Sequence, residues 1–161
     1  IPFRDHGTFD RVLVDAPCSG EGRFRSDDPA SHEKWSVNGA RRLASVQKSL
    51  RHAAIQAVRP GGVIVYSTCT LGREENEAIL HRALTRYGEG PTGMSLDPLP
   101  PEIPEGLALL DPPMDTAETS APPPETAIRR YGSDPRGRPE NAAMEGFFVA
   151  RLRKRGGMKA P

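Results

Sequence analysis

Two short apolar runs, Val12-Leu13-Val14 and Val63-Ile64-Val65, break off abruptly into small and polar residues. The first gives way to Asp15-Ala16-Pro17-Cys18-Ser19-Gly20, the second to Tyr66-Ser67-Thr68-Cys69-Thr70. This pattern predicts parallel strands over Val12–Asp15 and Val63–Ser67, buried on both faces, with their last residues at the carboxyl edge of a sheet. Between them, Leu43, Val46, Leu50, Ala53, Ala54 and Ala57 recur at helical spacing. They predict an amphipathic helix from Gly39 to Val58, stopped by Pro60-Gly61-Gly62. A second helix is predicted from Glu74 to Arg86, with Glu74, Glu75 and Glu77 in its first turn, where the helix dipole favours carboxylates. Strand–helix–strand order implies a right-handed crossover and an α/β fold. Ile128–Tyr131 and Phe147–Arg153 read as two further strands, an antiparallel hairpin that closes the sheet.

Residues 88–127 differ in kind. They hold ten of the seventeen prolines and few aliphatic residues, and predict an irregular insertion. No repeat, heptad or membrane-spanning run is visible, and no secretory signal, which points to a cytoplasmic protein without a membrane partner. The formal net charge is +1. A stand-alone nucleic-acid binder usually carries a larger basic excess, and the cluster Arg151, Arg153, Lys154, Arg155 also fits a solubilising tail.

The carboxyl edge of an open α/β sheet is where ligands and reactive groups collect, and the only two cysteines, Cys18 and Cys69, fall there. Cysteine is often just a small buried hydrophobe. A disulfide is disfavoured without a secretory signal. A zinc site needs more ligands, and His6, His32, His52 and His81 show no ligand spacing with either cysteine, so no metal is expected. Ser19-Gly20-Glu21-Gly22 after a strand invites a phosphate-loop reading, but Arg25 stands where a dinucleotide fingerprint needs its third glycine. A tight backbone turn beside a ligand explains these glycines better. Arg23 and Arg25 fit RNA phosphate or plain solvent equally well.

The segments DAPCSGEG and YSTCT followed by EEN closely resemble the fourth and sixth motifs of the Sun (Fmu) family of S-adenosylmethionine-dependent RNA (cytosine-5) methyltransferases. Trp35-Ser36 between them, the helix carrying Gln47, the Arg59-Pro60-Gly61-Gly62 turn and the terminal GFFVARLRK also match. The GEGxFR form resembles the bacterial branch acting on 16S ribosomal RNA more than the transfer-RNA branch. The resemblance implies a Rossmann-like class I methyltransferase fold, S-adenosylmethionine as cofactor and RNA as partner. It places Cys69 as the nucleophile and Cys18 as the cysteine that assists release. It puts Asp15 on the cofactor side, and Pro17 facing the base with its carbonyl free for the exocyclic amine. It also implies that the family's glycine-rich cofactor loop, ribose-binding acid and adenine-side aspartate lie upstream of these residues. The chain is then expected to be the carboxyl-terminal half of a catalytic domain, partnered by the upstream half, and inactive by itself. The alternative is a non-catalytic methyltransferase-like fragment that binds RNA or a protein.

Overall fold

The structure, a computed structural model, describes residues 6–25, 28–90, 93–100, 128–131 and 146–156. β1 (Phe9–Asp15) lies parallel to β2 (Val58–Thr68), with Val12 opposite Ile64 and Asp15 opposite Ser67. A parallel pair needs a long crossover, and α1 (Val37–Ala57) supplies it. α2 (Glu77–Tyr87) follows β2. β5 (Phe147–Lys154) runs antiparallel along the other side of β2, and β3 (Met94–Leu96) and β4 (Ile128–Tyr131) both pair antiparallel with β5's far edge. The expected Rossmann-like α/β sheet and the β4–β5 pairing are both present.

The core lies on one face of this sheet. Alternation along the strands turns Val14, Ile64, Tyr66, Phe148, Ala150 and Leu152 toward Ala54 and Ile55 of α1 and Ile79, Leu80 and Ala83 of α2. Tyr66 and Phe148 meet edge-on, with ring centroids 6.3 Å apart, a geometry that adds about 1 kcal/mol to their burial. The other face is open at β1, where Leu13 is 70% and Phe9 45% exposed. The expectation of burial on both faces therefore fails for β1, because among the described residues nothing covers that side.

Three boundaries also differ from the sequence reading. Ser36, not Gly39, opens α1, its Oγ accepting from the Gly39 N–H at 3.1 Å, a side-chain cap that satisfies a free helix donor. Residues 59–62 do not end the pairing of β2. The ladder passes from Phe9–Val58 to Arg11–Val63 around a bulge, in which Gly61 takes φ 80° and Arg59 reaches Asp10 at 2.6 Å. Met94–Leu96, expected to be irregular, forms β3, with Met94 buried and Leu96 packed on the core. The rest of the proline-rich stretch, residues 101–127, lies outside the described residues.

The buried stripe of α1 is also rotated from the one its apolar residues predict. Ala44, Gln47, Arg51, Ala54 and Ile55 are buried, while Val46 is 47% exposed. Two polar residues occupy the inner face because the interior offers them partners. Gln47 meets the loop after β1, and the Arg51 Nη1 donates to the Ile79 carbonyl at 2.8 Å, tying α1 to α2.

Candidate active site

The parallel register of β1 and β2 brings the two cysteine segments side by side. Cys18 Sγ lies 3.1 Å from Cys69 Sγ, and the Cys69 backbone N–H donates to Cys18 Sγ at 3.2 Å. Both cysteines are partly buried and free. The separation is well beyond the roughly 2.05 Å of a disulfide bond. Burial first, and then the contact with Cys69, push the Cys18 thiol up to about 12. Cys18 therefore keeps its proton at neutral pH, within hydrogen-bond distance of the Cys69 sulfur. Among the described residues no cluster of His, Cys, Asp and Glu could hold a metal ion.

Asp15 ends β1 at the same edge. One carboxylate oxygen, Oδ1, accepts from the Ser67 Oγ at 2.9 Å, and the side chain is otherwise exposed. Pro17 is placed differently from expectation. Its carbonyl is not free but accepts from Gln47 Nε2 at 2.8 Å. A carbonyl has a second lone pair, so only one acceptor direction remains.

The groups that fix this geometry were not singled out from the sequence. Glu75 is 1% exposed and precedes α2 instead of sitting in its first turn. Its carboxylate accepts from the Ser19 N–H at 3.0 and 3.3 Å and from Gln47 Nε2 at 2.7 Å. Gln47 thus bridges Glu75 to the Pro17 carbonyl, and the residues on either side of Cys18 hang from one buried carboxylate. On the other segment, Thr68 Oγ1 donates to Asn76 Oδ1 at 2.6 Å, and Asn76 Nδ2 donates to the Thr70 carbonyl at 3.0 Å. These bonds hold the backbone on both sides of Cys69. The Tyr66 hydroxyl donates to the Glu75 carbonyl at 2.6 Å, and Ser19 Oγ lies 2.9 Å from Thr70 Oγ1. The one signal for these roles in the sequence was the EEN segment. What hid it was that acids before a helix normally serve the dipole.

The glycines after Cys18 serve backbone approach. Gly20 takes φ 75°, a left-handed conformation that suits glycine. Gly22 donates to the Cys69 carbonyl at 3.0 Å and accepts from the Gly146 N–H at 2.6 Å. A Cβ on Gly22 would lie 2.1 Å from the Gly146 carbonyl oxygen. Beyond it, Phe24 packs edge-on against Trp35, centroids 6.3 Å apart, within the loop that joins β1 to α1.

Comparison with known proteins gives this edge its context. Ribosomal RNA small subunit methyltransferase F of Aeromonas salmonicida (strain A449) is 41% identical over 147 residues, 91% of this chain and 26% of that protein. Its counterpart from Aliivibrio salmonicida (strain LFI1238) is 38% identical over 154 residues, 96% of this chain and 28% of that protein. The chain thus spans about a quarter of the length of these curated relatives. A methyltransferase homolog protein from Pyrococcus horikoshii superposes with a TM-score of 0.59 at 29% identity, over 91% of this chain and 39% of that one. NSun6 from Pyrococcus horikoshii, solved with SFG, gives the same TM-score and identity over 89% and 29%. The profile of the family described as 16S rRNA methyltransferase RsmB/F matches residues 3–153. That match runs through both cysteine-bearing strand ends and into β5, and the chain therefore belongs to the 16S rRNA methyltransferase RsmB/F family.

Proposed function

We propose that this chain carries the cysteine half of an activity that transfers a methyl group from S-adenosylmethionine to carbon 5 of a cytosine in small-subunit ribosomal RNA. The observation that carries the reading is the Cys18–Cys69 pair, 3.1 Å apart with Cys18 held as a thiol. Carbon 5 of cytosine is a weak nucleophile. Addition of the Cys69 thiolate to carbon 6 forms a C–S bond and moves the 5,6 electron pair toward carbon 5. After methylation, a base removes the carbon-5 proton, the 5,6 double bond re-forms and the C6–S bond breaks, expelling the Cys69 sulfur. That sulfur regains charge as it leaves, and in this reading the adjacent Cys18 thiol donates a hydrogen bond to it.

The chemistry of the edge also suits the cofactor. Asp15 presents a carboxylate with one oxygen uncommitted, a match for a cationic ligand, and one relative was solved with SFG, an analogue of S-adenosylmethionine. When bound, S-adenosylmethionine supplies a methyl group on a positively charged sulfur. The cofactor-loop half of the same catalytic domain is the partner, and it adds at the open edge of β1. The Pro17 carbonyl, with one lone pair on Gln47, offers the other to the exocyclic amine of the base.

The test is methyl transfer by the full-length protein to small-subunit RNA, followed by nucleoside mass spectrometry. The reading requires 5-methylcytosine. A methyl group on another atom, or none, contradicts it.

A further inference from the structure

α1 and α2 pack side by side and leave an open groove of about 900 Å³ that neither cysteine lines. Lys48, Arg51 and His52 line it from α1 at i, i+3 and i+4, and Arg82 and Arg86 from α2 at i and i+4. No aspartate or glutamate lines it, and no ion pair among the described residues uses Lys48, Arg82 or Arg86.

The floor of the groove holds charge that the fold does not neutralise. Arg51 is 8% exposed; its Nη1 is taken by the Ile79 carbonyl, and its Nε has no acceptor among the described residues. A guanidinium so far out of water without a carboxylate is costly. Burial, with repulsion from Arg86 and Arg82, lowers its pKa. An anion in the groove offsets this cost. One end of the groove is already ordered: the Tyr87 hydroxyl lies 2.7 Å from His52 Nδ1, and the Arg86 guanidinium sits 5.5 Å from the Tyr87 ring centroid.

The geometry points to this groove as a docking surface for the phosphodiester backbone of the RNA substrate. The inference rests on the RNA-methyltransferase reading and adds a contact remote from the target base. Two facing rows of cations, repeating at about one helical turn of 5.4 Å, fit a polymer that bears one charge per repeat. Arginine forks suit phosphate oxygens in particular. The stripe also leads to the active edge. Arg41, Ser45, Lys48 and His52 lie at i, i+4, i+7 and i+11 on α1, rising toward the helix start that follows the cysteine loop.

The test uses the full-length protein carrying Lys48→Ala, Arg82→Ala and Arg86→Ala together, none of which touches the cysteine site. Binding to small-subunit RNA is measured across a salt series, with kcat at saturating RNA and the unfolding midpoint alongside. Affinity at low salt should weaken roughly 10-fold or more, and the slope of log affinity against log salt should drop by about three. The kcat and the midpoint should hold. Arg82→Glu alone, at an exposed position, should weaken binding in the same direction. Unchanged affinity and slope in both variants overturn the inference, as does capture of an acidic protein segment by the groove with RNA affinity intact. The binding readout stands apart from chemistry: a wild type that binds RNA through the groove but makes no 5-methylcytosine supports this surface and sinks the catalytic reading alone.

Discussion

Cys18 holds its proton because loss of water and the facing Cys69 both penalise its thiolate. The unfolded chain releases that proton near the ordinary value of 9.0 and the folded chain only near 12. Between those values the folded state binds more protons, so stability falls as pH rises through the window. Tyr66, also raised by burial and by the charge of Glu75, acts in the same direction, so the informative comparison is wild type against Cys18→Ala. Urea midpoints taken from about pH 8 to about pH 11 should decline less steeply in the variant; parallel declines contradict the assignment of the proton to Cys18. Glu75 holds the loop that carries Cys18. Glu75→Ala strands the Ser19 N–H and one N–H of the Gln47 amide in the interior and should cost about 2–4 kcal/mol. Glu75→Gln keeps the shape but swaps an acceptor for a donor, so the loop around Cys18 loosens while the fold survives. Turnover in that variant should fall by about 10-fold or more with RNA affinity unchanged. A fall in affinity with kcat intact places Glu75 outside the positioning of Cys18.

The loop between β1 and α1 is docked by backbone, with Gly22 wedged against Gly146 at the start of β5 and against Cys69. Gly22→Ala drives a methyl into backbone atoms that cannot yield as a flexible side chain does. It should release the loop and speed proteolysis after Arg23 and Arg25, while the β2–β5 ladder stays protected from hydrogen exchange; an unchanged cleavage rate contradicts the wedge. The elements themselves were largely legible. Val12-Leu13-Val14 and Val63-Ile64-Val65 announced β1 and β2, because aliphatic runs ending in small polar residues have few other uses, and the apolar alternation of Phe147–Arg153 announced β5. The inner face of α1 was not legible. Apolar periodicity counts Val46 and passes over Gln47 and Arg51, yet burial follows the partners available inside, and those partners come from residues 28 to 30 positions away. The same blindness hid Glu75, whose role depends on Ser19 and Gln47 meeting it across the fold.

At the scale of the whole molecule, the sheet is covered by helices on one face and open on the other at β1. Leu13, 70% exposed, stands opposite Val65, and Val65 opposite Arg151, across that open face. β1 pairs only with β2 among the described residues, and an apolar edge strand without a partner invites association. The 161-residue chain, studied alone, should scatter light as oligomers, and Leu13→Lys should shift it toward monomer. A monodisperse monomer of the unaltered chain contradicts this account of the open face. Adding the cofactor-loop half should suppress association in the same way.

In the proposed reaction the two cysteines divide the labour: Cys69 attacks and Cys18 releases. Trapping the protein on RNA tests it most directly. The full-length protein is incubated with small-subunit RNA and S-adenosylmethionine, denatured, and resolved for covalent protein–RNA species. Cys69→Ala should give neither adduct nor methylation, and Cys18→Ala should accumulate adduct because addition survives and expulsion is impaired. An adduct that persists in Cys69→Ala and vanishes in Cys18→Ala would reverse the two roles.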